Sequence, residues 1–105
     1  MNPAPGELYL VDLGLAGKVR PAVVLSRADP DSARAVAICA PLTTQNRGSV
    51  YEVPLGKLKF LDKESWVNVQ GLMGLGHERL IRRLGQINRM QLEQVKAALR
   101  FALEL

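Results

Sequence analysis

The sequence predicts a mainly β chain that ends in one helix. Two patterns predict it. Short stretches that alternate polar and apolar residues, or are apolar throughout between glycine or proline boundaries, recur up to Val69, whereas Leu92, Val95, Leu99 and Leu103 follow at helical intervals. A length of 105 residues, with 48% hydrophobic and 23% charged residues, suits one compact domain over residues 1–105 rather than two cores or a disordered chain.

The elements follow in order. Residues 7–13 alternate before Gly14, as in a half-buried strand ending in a turn. After a short loop from Gly14 to Val19, residues 20–26 form an apolar run suited to a strand buried on both faces, with Pro21 early enough not to need a ladder hydrogen bond. Asp29-Pro30-Asp31-Ser32 reads as a tight turn, and residues 33–41 as a third apolar strand bounded by Pro41. The polar segment 43–48 is a turn before residues 50–54, which alternate again. Residues 55–63 have no clear period and accommodate a single helical turn; residues 65–69 return to a period of two. Gly71, Gly74 and Gly76 favour a loop or bent strand, and residues 79–87 fit a last strand or a short helix. Asn88 with Gln91 three residues on has the form of a capping box, opening a helix from about residue 89 to 104.

The net charge is +4 with a pI near 9.6, and the excess lies in connecting segments, at Lys18, Arg20, Arg47, Lys57 and Lys59. An anionic partner is the corresponding expectation. No apolar stretch approaches the roughly 20 residues of a membrane span, and Met1-Asn2-Pro3-Ala4-Pro5-Gly6 lacks the basic-then-apolar layout of a secretion signal, so a cytoplasmic location without a membrane partner is expected. Cys39 is the single cysteine, which excludes an intrachain disulfide, and its apolar neighbours predict burial.

Three segments carry a family resemblance. Gly6-Glu7-Leu8-Tyr9-Leu10-Val11-Asp12, Arg20-Pro21-Ala22-Val23-Val24-Leu25-Ser26 and Pro41-Leu42-Thr43-Thr44-Gln45 stand in the order and rough spacing found in MazF/PemK toxins, and the likeness extends from Gly6 to the C-terminal helix. The resemblance implies an SH3-like β-barrel of the MazF/PemK/CcdB toxin type, a homodimer, a cognate antitoxin, and sequence-selective cleavage of single-stranded RNA without a metal or other cofactor. It also implies that the arginine before proline and the first threonine of Thr-Thr-Gln are functional; here these are Arg20 and Thr43.

The chemistry suits those residue types. Cleavage through RNA's own 2′-hydroxyl needs no protein nucleophile, only in-line placement and stabilisation of charge on the phosphate oxygens. A guanidinium grips two such oxygens in a fixed fork, and the residue before a proline is held in extended backbone, which aims Arg20. Thr43 supplies a hydroxyl. Lys18, Thr44, Gln45, Arg47, Arg79 and Arg82 are candidate RNA contacts, with Arg83 beside them. Trp66 and Tyr51 are candidate base-stacking residues, although the alternation around Trp66 also suits a core position. Arginine is a poor base, so another group or solvent takes the 2′-hydroxyl proton, with His77, Asp12 and Glu52 as the candidate groups. Residues 72–75, Leu-Met-Gly-Leu, suggest a dimer or antitoxin contact.

Two departures from the family pattern stand out: a short loop between the first two strands, which bears on substrate choice, and Gln70-Gly71-Leu72-Met73 in place of an acidic or polar residue followed by glutamine and a basic residue, which bears on a second catalytic or base-reading group. The competing functions are a toxin of the same fold that poisons DNA gyrase by binding, and a catalytically weakened member that only binds RNA or antitoxin.

Overall fold

A computed structural model describes residues 1–14 and 18–105. It contains seven strands, β1 (Glu7–Asp12), β2 (Val19–Val24), β3 (Val36–Thr43), β4 (Glu52–Gly56), β5 (Ser65–Asn68), β6 (Met73–Gly76) and β7 (Leu80–Gln86), followed by helix α1 (Arg89–Leu103). Short 3-10 turns at Val69–Gly71 and His77–Arg79 flank β6. All pairings are antiparallel, in the order β4-β5-β3-β2-β1-β7. Strand β3 organises the sheet: one edge takes β2, while the other takes β6 along its first half and β5 at Leu42 and Thr43.

The central strands are apolar because both of their faces are covered. Leu8, Val23 and Ala40 point into a core completed by Val53, Leu55, Val67, Ile87 and Val95, with Leu92 and Leu99 of α1 packed on it. Tyr9, Ala22, Val24 and Cys39 point the opposite way, into a second core closed by Leu75 and Leu80. Complete burial of a valine or leucine contributes about 1.5–3 kcal/mol, so the doubly covered β1-β2-β3 unit is the stable heart of the fold.

Strands β4 and β7 stand at the two ends of the sheet and do not pair among the described residues, so the sheet curls into a barrel-like form without closing. Side chains span the opening. Gln91 donates its Nε2 hydrogen to the Leu55 carbonyl at 3.1 Å, tying α1 to β4. From the β4–β5 loop, the Phe60 ring lies so close to Gly85 of β7 that a Cβ there would overlap it. Helix α1 begins with the capping box expected from the sequence: Gln91 N–H donates to Asn88 Oδ1 at 2.8 Å, and Asn88 N–H donates to Gln91 Oε1 at 3.0 Å.

Two segments, residues 57–61 and the end of the third strand, differ from the sequence expectation, and two others settle a choice it left open. Residues 57–61 form no helical turn but a reverse turn, closed by Leu61 N–H donating to the Leu58 carbonyl. The glycine-rich segment is a strand, β6, because it borders β3. Residues 80–86 are a strand whose register against β1 shifts twice, so Ile81, Arg82 and Arg83 are all exposed and the period of two is lost. Strand β3 runs through Pro41 to Thr43 instead of stopping at the proline. Of the expected loop from Gly14 to Val19, residues 15–17 lie outside the described part.

Two outcomes follow from this packing. Cys39 is fully buried, and burial pushes its thiol up to about 11, so native protein at pH 8 should leave a thiol reagent unreacted until denaturant is added. Reaction of the native protein at the rate of free cysteine would contradict that placement. Gly85→Ala should lower unfolding free energy in urea by about 1–3 kcal/mol, and by much less in a Phe60→Ala background, since the overlap is with that ring. Equal losses in both backgrounds would place the strain elsewhere.

Candidate functional site

The β2–β3 ladder consists of Ala22–Pro41, Val23–Ala40 and Val24–Cys39, and it stops where two prolines stand, Pro21 on one strand and Pro41 on the other. Neither can donate a further ladder hydrogen bond. Arg20 lies two residues past Ala22 and Thr43 two residues past Pro41, so the alternation of strand side chains sets both on the same face as those residues. They line one open cleft of about 380 Å³, with Leu13, Thr44 and Gln45. A neighbouring depression of about 230 Å³ is lined by Arg20, Leu42 and Thr44 again, together with Asp62, Lys63 and Ser65. The shared residues make the two a continuous groove with Arg20 at its middle.

Within the groove the polar groups are poised differently. The Arg20 side chain is exposed and has no hydrogen-bond or ion-pair partner among the described residues, so its five donors face the cleft unengaged. The Thr43 Oγ1 accepts a hydrogen bond from Gln45 N–H at 3.1 Å. That contact fixes the oxygen and leaves its hydrogen to donate elsewhere. Gln45 is itself held, its Oε1 accepting from Arg47 Nη2 at 3.1 Å, while Arg47 N–H donates to Glu52 Oε1 at 3.0 Å. Trp66 is the β5 partner of Thr43, so its half-buried ring lies on the Thr43 side of the sheet rather than in the core.

The other sequence candidates lie at varying remove. Lys18 is exposed just before β2, its carbonyl accepting from Leu13 N–H. Arg79 reaches the Asp12 carbonyl at 3.4 Å and covers Gly14, at the base of the β1–β2 loop. Arg82 is exposed on β7 opposite Leu10, and Arg83 is paired with Glu7 at 2.8 Å. None of these four lines the groove. Tyr51 is not placed for stacking on RNA: its ring packs on Phe101 of α1, centroids 5.6 Å apart. Leu72 and Leu75 pack inward, and the apolar side chains that reach the surface nearby are Val36 and Ile38, exposed because they face Gly76 and Gly74 across the β3–β6 ladder.

The proposed proton acceptors lie off the groove as well. His77 lines a separate cavity of about 310 Å³ with Arg27 and Ile38, at the end of β2 away from Arg20. Asp12 accepts from Gly14 N–H and Glu52 from Arg47 N–H, so both carboxylates serve turns. Asp62 and Lys63, which do line the groove, have no sequence signal, since a charged pair in an aperiodic segment looks like any solvated loop. Among the described residues no three His, Cys, Asp or Glu side chains group as metal ligands, and no helix is long and apolar enough to cross a membrane.

Comparison with known proteins accords with this architecture. No curated protein sequence matches the chain. Among solved structures, an endoribonuclease in complex with its cognate antitoxin from a mycobacterial species superposes with a TM-score of 0.84 at 27% identity, over 98% of this chain and 96% of that one. An endoribonuclease from a mycobacterial species gives 0.83 at 26% identity, over 100% and 94% of the two chains. MazF from Deinococcus radiodurans gives 0.83 at 22% identity, over 100% and 99%, a likeness of fold. The family model described as PemK-like, MazF-like toxin of type II toxin-antitoxin system matches residues 4–103, and the chain therefore belongs to that family of toxins.

Proposed function

We propose that this toxin is an endoribonuclease that cuts single-stranded RNA, mRNA included, in the groove centred on Arg20, and thereby blocks translation and growth. The observation that carries the reading is the convergence of Arg20 and Thr43 on one cleft. The endoribonucleases it resembles at 26% and 27% identity support it.

The reaction needs no metal in this account. A 2′-hydroxyl attacks the adjacent phosphorus in line, and the 5′-oxygen leaves, giving 2′,3′-cyclic phosphate and 5′-hydroxyl ends. Arg20 binds two non-bridging oxygens and offsets the charge that grows on them, while the Thr43 hydroxyl donates to the same phosphate. Thr44 and Gln45 line the cleft beside the chain, Trp66 offers a ring face near Thr43, and Lys18, Arg47, Arg79 and Arg82 attract flanking phosphates. The toxin acts in the cytoplasm as a homodimer restrained by a cognate antitoxin; exposed Val36, Ile38 and Ile81 are apolar surface that such contacts would cover.

Incubation with a long RNA in chelator tests the reading. Wild type should leave cyclic phosphate ends, and Arg20→Ala and Thr43→Ala, folded by circular dichroism, should each cut about a hundredfold more slowly or worse. RNA left intact by wild type, or cut equally by Arg20→Ala, would refute it; gyrase inhibition without RNA cleavage would identify a topoisomerase poison instead.

A further inference from the structure

The groove holds cations and hydroxyls but needs a group that can take a proton. Arg20 and Lys63 carry donors and no acceptor. Ser65 is buried and donates its hydroxyl to the Lys63 carbonyl at 3.2 Å. The Thr43 oxygen and the Gln45 carbonyl oxygen already accept hydrogen bonds. Asp62 remains: among the described residues it is the one carboxylate lining either half of the groove, and it has no partner there.

Its position is built rather than incidental. Lys57 Nζ donates to the carbonyl oxygens of Leu58 and Leu61, which clamps the reverse turn just before Asp62. Leu58, Phe60 and Leu61 are packed against the main core, Phe60 on the bare backbone of Gly85. On the other side of Asp62, the Lys63 carbonyl is held by Ser65. The carboxylate is thus carried on a fixed loop into the depression that contains Arg20. Arg20 and Lys63 line the same depression, so the three charges together sum to one positive, which still favours a phosphate chain.

Resting on the nuclease reading above, we propose that Asp62 is the group that accepts the 2′-hydroxyl proton. As the oxygen–phosphorus bond forms, that proton passes to the carboxylate. The bond from phosphorus to the 5′-oxygen breaks with its electron pair, and the 5′-oxygen takes a proton from water. The hydroxide left behind recovers the proton from Asp62, so the enzyme is restored.

The test pairs cleavage with binding. Asp62→Asn should slow single-turnover cleavage of an RNA oligonucleotide by about 10²–10⁴, yet bind the same oligonucleotide, made 2′-deoxy at the cut nucleotide, within about twofold of wild type. Formate should restore about tenfold or more of the rate lost in Asp62→Ala, which a structural role would not allow. An Asp62→Asn rate within about threefold of wild type, a loss explained by weaker binding, or an Asp62→Ala variant unmoved by formate overturns this role alone. A wild type that leaves RNA whole overturns the nuclease reading and this role with it.

Discussion

The pairing of β2 with β3, and the point at which it ends, governs where Arg20 and Thr43 stand in the groove. Three residue pairs hold the strands in register until Pro21 and Pro41 leave no donor to continue. Beyond that point β3 keeps a neighbour only on its other edge, where Leu42 and Thr43 pair with β5. The space left on the β2 side is the cleft that Arg20 and Thr43 line. A slip of one residue between the strands would turn one of these side chains to the other face, so the site depends on register before it depends on any single contact.

Register, in turn, is fixed by burial. With apolar cores on both faces of β1, β2 and β3, any slip would exchange Val23 and Ala40 with Val24 and Cys39 against the wrong surroundings. The edges tolerate more irregularity. Strand β7 shifts twice against β1 and exposes three residues in succession, and β4 and β7 are spanned by the helix and by Phe60 rather than by a ladder. A rigid centre with adaptable edges can present different loops to a substrate while the arginine and threonine stay fixed. The β4–β5 loop is such a loop, clamped by Lys57 and seated on Gly85.

Much of this was legible in the residues. The doubly buried β2, the capping box at Asn88 and the buried Cys39 each follow from local pattern, because local chemistry decides them. The Arg20–Pro21 and Thr43–Thr44–Gln45 segments pointed to a shared site through resemblance, and strand alternation explains why they meet. What stayed hidden depends on contacts between distant segments. The strand at Met73–Gly76 exists because β3 offers an edge, the Tyr51 ring is taken up by Phe101, and Asp62 comes to line the same depression as Arg20 through a turn whose clamp and ring contact no periodicity reveals.

The central claim is that Arg20 and Thr43 act on one phosphate. A crystal structure with an RNA oligonucleotide made 2′-deoxy at the cut nucleotide tests it most directly. The account predicts non-bridging oxygens of the scissile phosphate at about 2.7–3.1 Å from both the Arg20 guanidinium and the Thr43 hydroxyl. A scissile phosphate seated elsewhere, or touching one of the two while the other faces solvent, would contradict it.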